Sequence, residues 1–157
     1  MKKIDLGQAI TILANLGVIA GIIFLGYELR QNTLMIRAQI TQSRAELAVT
    51  EQVATYNSDY LPSIQVKVQR GQQLTDEEML RFRTFIRGFL RNQDNAYWQF
   101  RNDLLENNTP DSIRLGVSEV IGSSALGRTI WEEQRALYTS EFVDFVDQII
   151  AGTDSAD

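Results

Sequence analysis

Arg83, Arg87 and Arg91 stand at i, i+4 and i+8, so on a helix they form one cationic row. Like charges at that spacing repel by a few tenths of a kcal/mol per pair unless anions neutralise them. Two chemistries fit: a docking face for anionic lipid headgroups or an acidic partner, or internal pairing with Glu46, Glu51 or Asp144. Carboxylates recur in pairs at Asp103/Glu106, Glu132/Glu133 and Asp144/Asp147. Acid–base or metal chemistry would use such pairs, but the chain has no His and no Cys. That removes imidazole acid–base work, thiol nucleophiles and every Cys/His zinc pattern. Di-metal bundles add a Glu-x-x-His element, and calcium loops need alternating acids around a glycine. Neither pattern occurs, so the pairs read as solvated faces, and no metal, cofactor or catalytic centre is expected. The stretch "GSSALG", Gly122 to Gly127, offers a helix N-terminus to an anion. It matches neither the phosphate-loop nor the nucleophile-elbow pattern and reads as a turn.

The elements that hold these side chains are helical. "LTDEEMLRF" carries a capping box, with Thr75 as cap, Glu78 reciprocating and Leu74 placed to pack on Met79. The helix that follows sets Phe82, Phe85, Ile86, Phe89, Tyr97, Phe100 and Leu104 at core spacing and is expected to end near Asn107. Before it, "SDYLPSIQVKVQRG" predicts a short helix capped by Asp59, with Pro62 in its first turn and Gly71 beyond its end. The alternation Ile64, Val66, Val68 would also suit a strand, but a lone strand has no ladder partner. Thr109-Pro110 opens a further helix with Ile113, Val117, Val120 and Ile121 inward and Gly122 at its end. Ser124 to Tyr138 holds Leu126, Ile130, Trp131 and Leu137. A last helix from Thr139 or Ser140 aligns Phe142, Phe145, Val146, Ile149 and Ile150, with Gly152 beyond it. Trp98 and Trp131 stand off the main apolar stripes and are candidate interface aromatics.

The N-terminal stretch is different. Ala9 to Tyr27 contains no charge, and nineteen helical residues reach about 28 Å, close to a hydrocarbon core of about 30 Å. Lys2, Lys3 and Asp5 flank it on one side, and Tyr27, Glu28 and Arg30 on the other. Asp5 and Gln8 form a capping box, with Ile4 stapled against Ala9. A cleaved signal ending at Val18-Ile19-Ala20 is the rival reading, but apolar sequence continues seven residues past it. A buried soluble helix is the other rival, and the remaining chain is small to wrap it. Ala14, Gly17 and Gly21 lie on one face, and Gly17 to Gly21 is a G-x-x-x-G that lets two helices approach closely.

No Gly or Pro occurs between Tyr27 and Pro62, so the helix is expected to continue to about Tyr56. Its apolar residues Leu29, Ile36, Ile40, Leu47 and Ala54 keep a 7- and 4-residue rhythm. The expected layout is all-α, with a single-pass transmembrane helix running into a long helix, followed by a small helical bundle. By residue it is a tail and cap over 1–8, a transmembrane helix over 9–27, a helical stalk over 28–56, a helical body over 57–152 and a frayed tail over 153–157.

"GYELRQNTLMIRA" resembles the start of a widespread group of uncharacterised bacterial proteins, an apolar N-terminal segment followed by an L-x-x-R-Q-N-T type motif. "NAYWQFRNDLL" and "TSEFVDFVDQII" resemble that group's tyrosine-rich and C-terminal helices. The resemblance implies the architecture only, with no activity and no functional residue; the expected location is a bacterial inner membrane.

Charge narrows the partners. From Glu28 onward the chain holds 13 basic and 19 acidic residues, a balance that repels a phosphate backbone and disfavours nucleic acid. Arg30, Arg37 and Arg44 after the span, against Lys2 and Lys3 before it, lean toward a cytoplasmic body. The expected function is a membrane-anchored, non-enzymatic helical module, a homo-oligomer or an accessory subunit of a membrane complex, with the lipid bilayer as partner. The alternative is a single-span sensor or signalling protein whose helical body binds a protein partner or a small apolar ligand, the latter enclosed among Phe82, Phe85, Phe89 and Trp131.

Overall fold

The computed structural model describes residues 6–154. Lys2, Lys3, Ile4 and Asp5, with the proposed N-terminal cap, lie outside the described residues, as do 155–157. Six α-helices follow one another: α1 (Leu6–Tyr56), α2 (Leu61–Gln69), α3 (Asp76–Arg101), α4 (Thr109–Val117), α5 (Ala125–Gln134) and α6 (Ser140–Asp154). A π-helical turn, Ser118–Gly122, continues α4, and a 3-10 turn, Arg135–Leu137, follows α5. Among the described residues there is no strand, so the protein is all-α, and Ile64, Val66 and Val68 belong to a helix.

The chain forms two compact units, Met1–Gln42 and Ser43–Asp157. The first is the N-terminal part of α1. Its large apolar side chains from Leu6 to Leu25 are exposed. The second unit takes the last residues of α1 and all that follows, and α1 itself is continuous from Leu6 to Tyr56.

The second unit is held by a contiguous apolar core. Ile64 of α2, Phe82, Ile86 and Leu90 of α3, Ile113 and Val117 of α4, Ile121 of the π turn, Ile130 and Trp131 of α5, and Phe142 and Val146 of α6 are at most 2% exposed. Each such side chain contributes about 1.5–3 kcal/mol relative to an exposed one. Phe85, Phe89 and Tyr97 are half-buried at the core's margin, whereas Leu137, assigned to the core by its spacing, is 47% exposed.

The helix ends show how local chemistry sets the boundaries. At α3 the capping box forms in full: Glu78 N–H donates to Thr75 Oγ1 (3.2 Å), and Thr75 N–H donates to Glu78 Oε2 (2.9 Å). The other end of α3 departs from expectation, closing at Arg101 rather than near Asn107. Asp103 adopts φ 58°, Asp103 N–H donates to Phe100 O and Leu104 N–H to Gln99 O, both at 3.0 Å. That is a Schellman closure built on an aspartate, a residue that tolerates the left-handed conformation better than most side chains.

Asp59 does not cap α2. Leu61 and Tyr60 N–H donate instead to Ser58 Oγ, at 3.2 and 3.4 Å. Gly71 sits just past that helix at φ +64°, the conformation its lack of a Cβ permits. Gly152 does not terminate α6, which runs on to Asp154. Thr153 Oγ1 donates to Ile150 O at 2.6 Å, and its side chain stands where a Cβ on Gly122 would meet it at 3.2 Å.

Candidate functional site

Three surfaces carry the side chains singled out by type and spacing, and a fourth emerges only from the packing. The first is α1. Ala14, Gly17 and Gly21 are exposed, and a Cβ on either glycine would meet nothing within 4 Å. At 100° per residue this small-residue face lies roughly 90° around the helix from the Leu29–Ile36–Ile40 stripe. Leu29 and Ile36 are 59% and 44% exposed. One straight helix–helix contact therefore covers one of these faces and leaves the other open.

The second surface is the arginine row of α3, which the tertiary structure splits. Arg83 makes a two-pronged ion pair with Glu133 of α5: Nη1 to Oε2, and Nη2 to Oε1 at 3.2 Å. Its partner is thus neither Glu46, Glu51 nor Asp144. Arg91 lies over the Tyr138 ring at 5.8 Å from the centroid. Arg87 is exposed and joins no ion pair among the described residues. Burial pushes the Tyr138 phenol up from its ordinary pKa, with Arg91 and Arg87 pulling it down and Asp94 adding to the rise.

The tryptophans separate. Trp98 is 55% exposed and remains available to a partner. Trp131 is fully buried, so it is no interface aromatic. It faces Tyr138 (5.7 Å between ring centroids), meets Phe142 edge-on, and donates its indole N–H to Asp147 Oδ1 at 2.8 Å. Arg135 Nη2 donates to the other Asp147 oxygen, so an indole and a guanidinium hold this carboxylate. Paired aromatic packing and a satisfied N–H explain how so large a side chain is accommodated in the core.

The acidic pairs serve ion pairing where partners are resolved: Glu132 with Arg135, Glu133 with Arg83, Asp147 with Arg135. Among the described residues no group of three acids is placed to hold a metal ion. In the "GSSALG" turn Ser124 Oγ accepts from Gly127 N–H at 3.0 Å and caps α5, while Arg128 Nη1 donates to Gly122 O.

The fourth surface is a groove of about 480 Å³. The end of α1 (Glu51, Ala54, Thr55), the start of α2 (Tyr60, Leu61) and one face of α3 (Leu80, Arg81, Thr84, Phe85, Gly88, Phe89) line it. It is open, and Trp131 is not part of it. Phe82 instead joins Phe85 at a smaller depression of about 110 Å³ bordered by Val120 and Ser124. Phe85 and Phe89 thus line an open groove, Phe82 and Phe85 a smaller depression, and Trp131 lines neither. Sequence spacing marks Phe85 and Phe89 as core residues; only the placement of α1 and α2 makes them a groove wall.

No family model matches the chain, and no curated protein or solved structure shows significant similarity to it.

Proposed function

We propose that this chain is a single-pass, membrane-anchored helical module that assembles with itself or serves as an accessory subunit of a membrane complex, without catalytic activity of its own. One observation carries the reading. α1 is long and apolar enough to cross a membrane, and none of its residues is buried. Water is a poor solvent for that surface: at about 25 cal/mol per Å² of apolar area, leaving it exposed costs far more than the protein's net stability supplies. Lipid around residues 9–27 removes the cost. The resemblance of "GYELRQNTLMIRA" to the bacterial group favours a bacterial inner membrane, and Arg30, Arg37 and Arg44 favour a cytoplasmic body.

Assembly is supported by the two faces of α1. The glycine face suits a close helix–helix contact inside lipid, and the Leu29–Ile36–Ile40 stripe needs a different neighbour outside it. A non-catalytic role is supported by the lack of His and Cys and by acids engaged in ion pairs. Crosslinking in native membranes and mass measurement of the detergent-extracted particle test the proposal together. A particle heavier than one chain, weakened by Gly17→Leu with Gly21→Leu, is expected. A monomer without companions refutes assembly, and recovery of the full chain in a detergent-free soluble fraction refutes anchoring.

A further inference from the structure

We infer that the groove between the end of α1, α2 and α3 is a binding site for a lipophilic organic cation, with Glu51 as the counter-charge and Phe85 and Phe89 as the apolar wall. The inference is independent of membrane anchoring, because every lining residue belongs to the second unit. The volume, about 480 Å³, falls within the range of small-molecule sites, roughly 300–1,000 Å³. Gly88 leaves room on the α3 side, since a Cβ there meets nothing within 4 Å.

The charge of the ligand follows from which rim groups are already neutralised. Arg81 donates Nε and Nη2 to Glu77 Oε1 at 3.1 and 2.5 Å, and its guanidinium lies 3.8 Å from the centre of the Tyr60 ring. Glu77 thereby balances the charge of Arg81 on this rim. Glu51 accepts one neutral hydrogen bond, from Asn92 Nδ2 to Oε2 at 3.0 Å. It joins no ion pair among the described residues; Arg44 senses its charge only from beyond ion-pair distance.

The groove thus presents a carboxylate without an ion-pair partner, its charge felt by Arg44 further back along α1, beside two phenyl rings. An anion would face Glu51 unfavourably. A neutral apolar molecule would cover the carboxylate without pairing it, a desolvation cost with no return. A cation with apolar substituents satisfies the carboxylate, and its charge is further attracted to the ring faces.

Tetraphenylphosphonium and tetraphenylborate share one shape and differ in sign, so equilibrium dialysis of both against the full chain in detergent micelles, referenced to empty micelles, tests the inference. Saturable phosphonium binding, one per chain and at least about tenfold tighter than borate, is expected. Glu51→Gln should weaken phosphonium binding about tenfold, Gly88→Leu should abolish it by filling the groove, and Glu51→Lys should turn the preference toward borate. Glu51 is exposed, so its variants stay informative even if Gly88→Leu disturbs the fold. Equal binding of the two ions, no saturable binding, a preference unmoved by Glu51→Lys, or a folded Gly88→Leu protein that binds normally would each overturn the assignment.

Discussion

Adding the same methyl group at Gly127 and at Gly88 should have opposite effects on stability. Gly127 lies in the first turn of α5 and is buried. A Cβ there would stand 2.6 Å from Ile121 O, 3.1 Å from Ile121 Cα and 3.0 Å from Ser124 Oγ. An ordinary carbon–oxygen contact is about 3.3 Å, so the overlap with the carbonyl is about 0.7 Å. The obstacle is backbone in the π-helical turn and cannot rotate away. Overpacking of this kind costs about 1–3 kcal/mol, and the better helix propensity of alanine returns about 0.5–1. Gly127→Ala should therefore lose roughly 1–2 kcal/mol, lowering Tm by about 5–10 °C in a body of this size. At Gly88 the Cβ meets nothing within 4 Å. There only the propensity term remains, and Gly88→Ala should raise Tm by about 3–5 °C. Thermal melts followed by circular dichroism in one detergent measure both. A Gly127→Ala protein as stable as the parent would refute the close approach of α5 to the π turn.

Four further outcomes follow from other contacts. Thr75→Ala removes the acceptor for Glu78 N–H and should cost about 1 kcal/mol by denaturant melt. Glu78 is held below its ordinary pKa, chiefly by the hydrogen bond from Lys67 and then by Thr75 N–H. The folded state thus favours its charged form, and the associated stability is present above the ordinary glutamate range and lost as pH falls through the folded value. A Glu78→Gln protein should show a shallower acid-induced loss of stability than the parent. Trp131→Phe should destabilise the body by about 2–3 kcal/mol, whereas Trp98→Phe should stay within about 0.5; in the latter, the remaining emission should resist iodide quenching. Tyr138 should ionise above the ordinary tyrosine range in an alkaline absorbance titration. Because its folded pKa is raised, stability is lost as pH climbs past the unfolded value near 10.

What could be read from the chain in advance was whatever depends on neighbours three or four residues away. The Thr75–Glu78 box, the apolar periodicity of α3 and α6, the charge-free run from Ala9 to Tyr27 and the lack of helix breakers before Pro62 are all of this kind, and they suffice for an all-α protein with a long apolar first helix. Even local chemistry misled where two neighbouring side chains could fill the same role. Ser58 rather than Asp59 serves α2, and Asp103 closes α3 short of the end expected near Asn107. The partner of Arg83, fifty residues away at Glu133, the burial of Trp131 against Asp147, and the joining of Glu51 to Phe85 and Phe89 in one groove could not be read that way. Each is decided by which helix faces pack together. That choice minimises exposed apolar area summed over the whole body, and no single segment's spacing contains the sum.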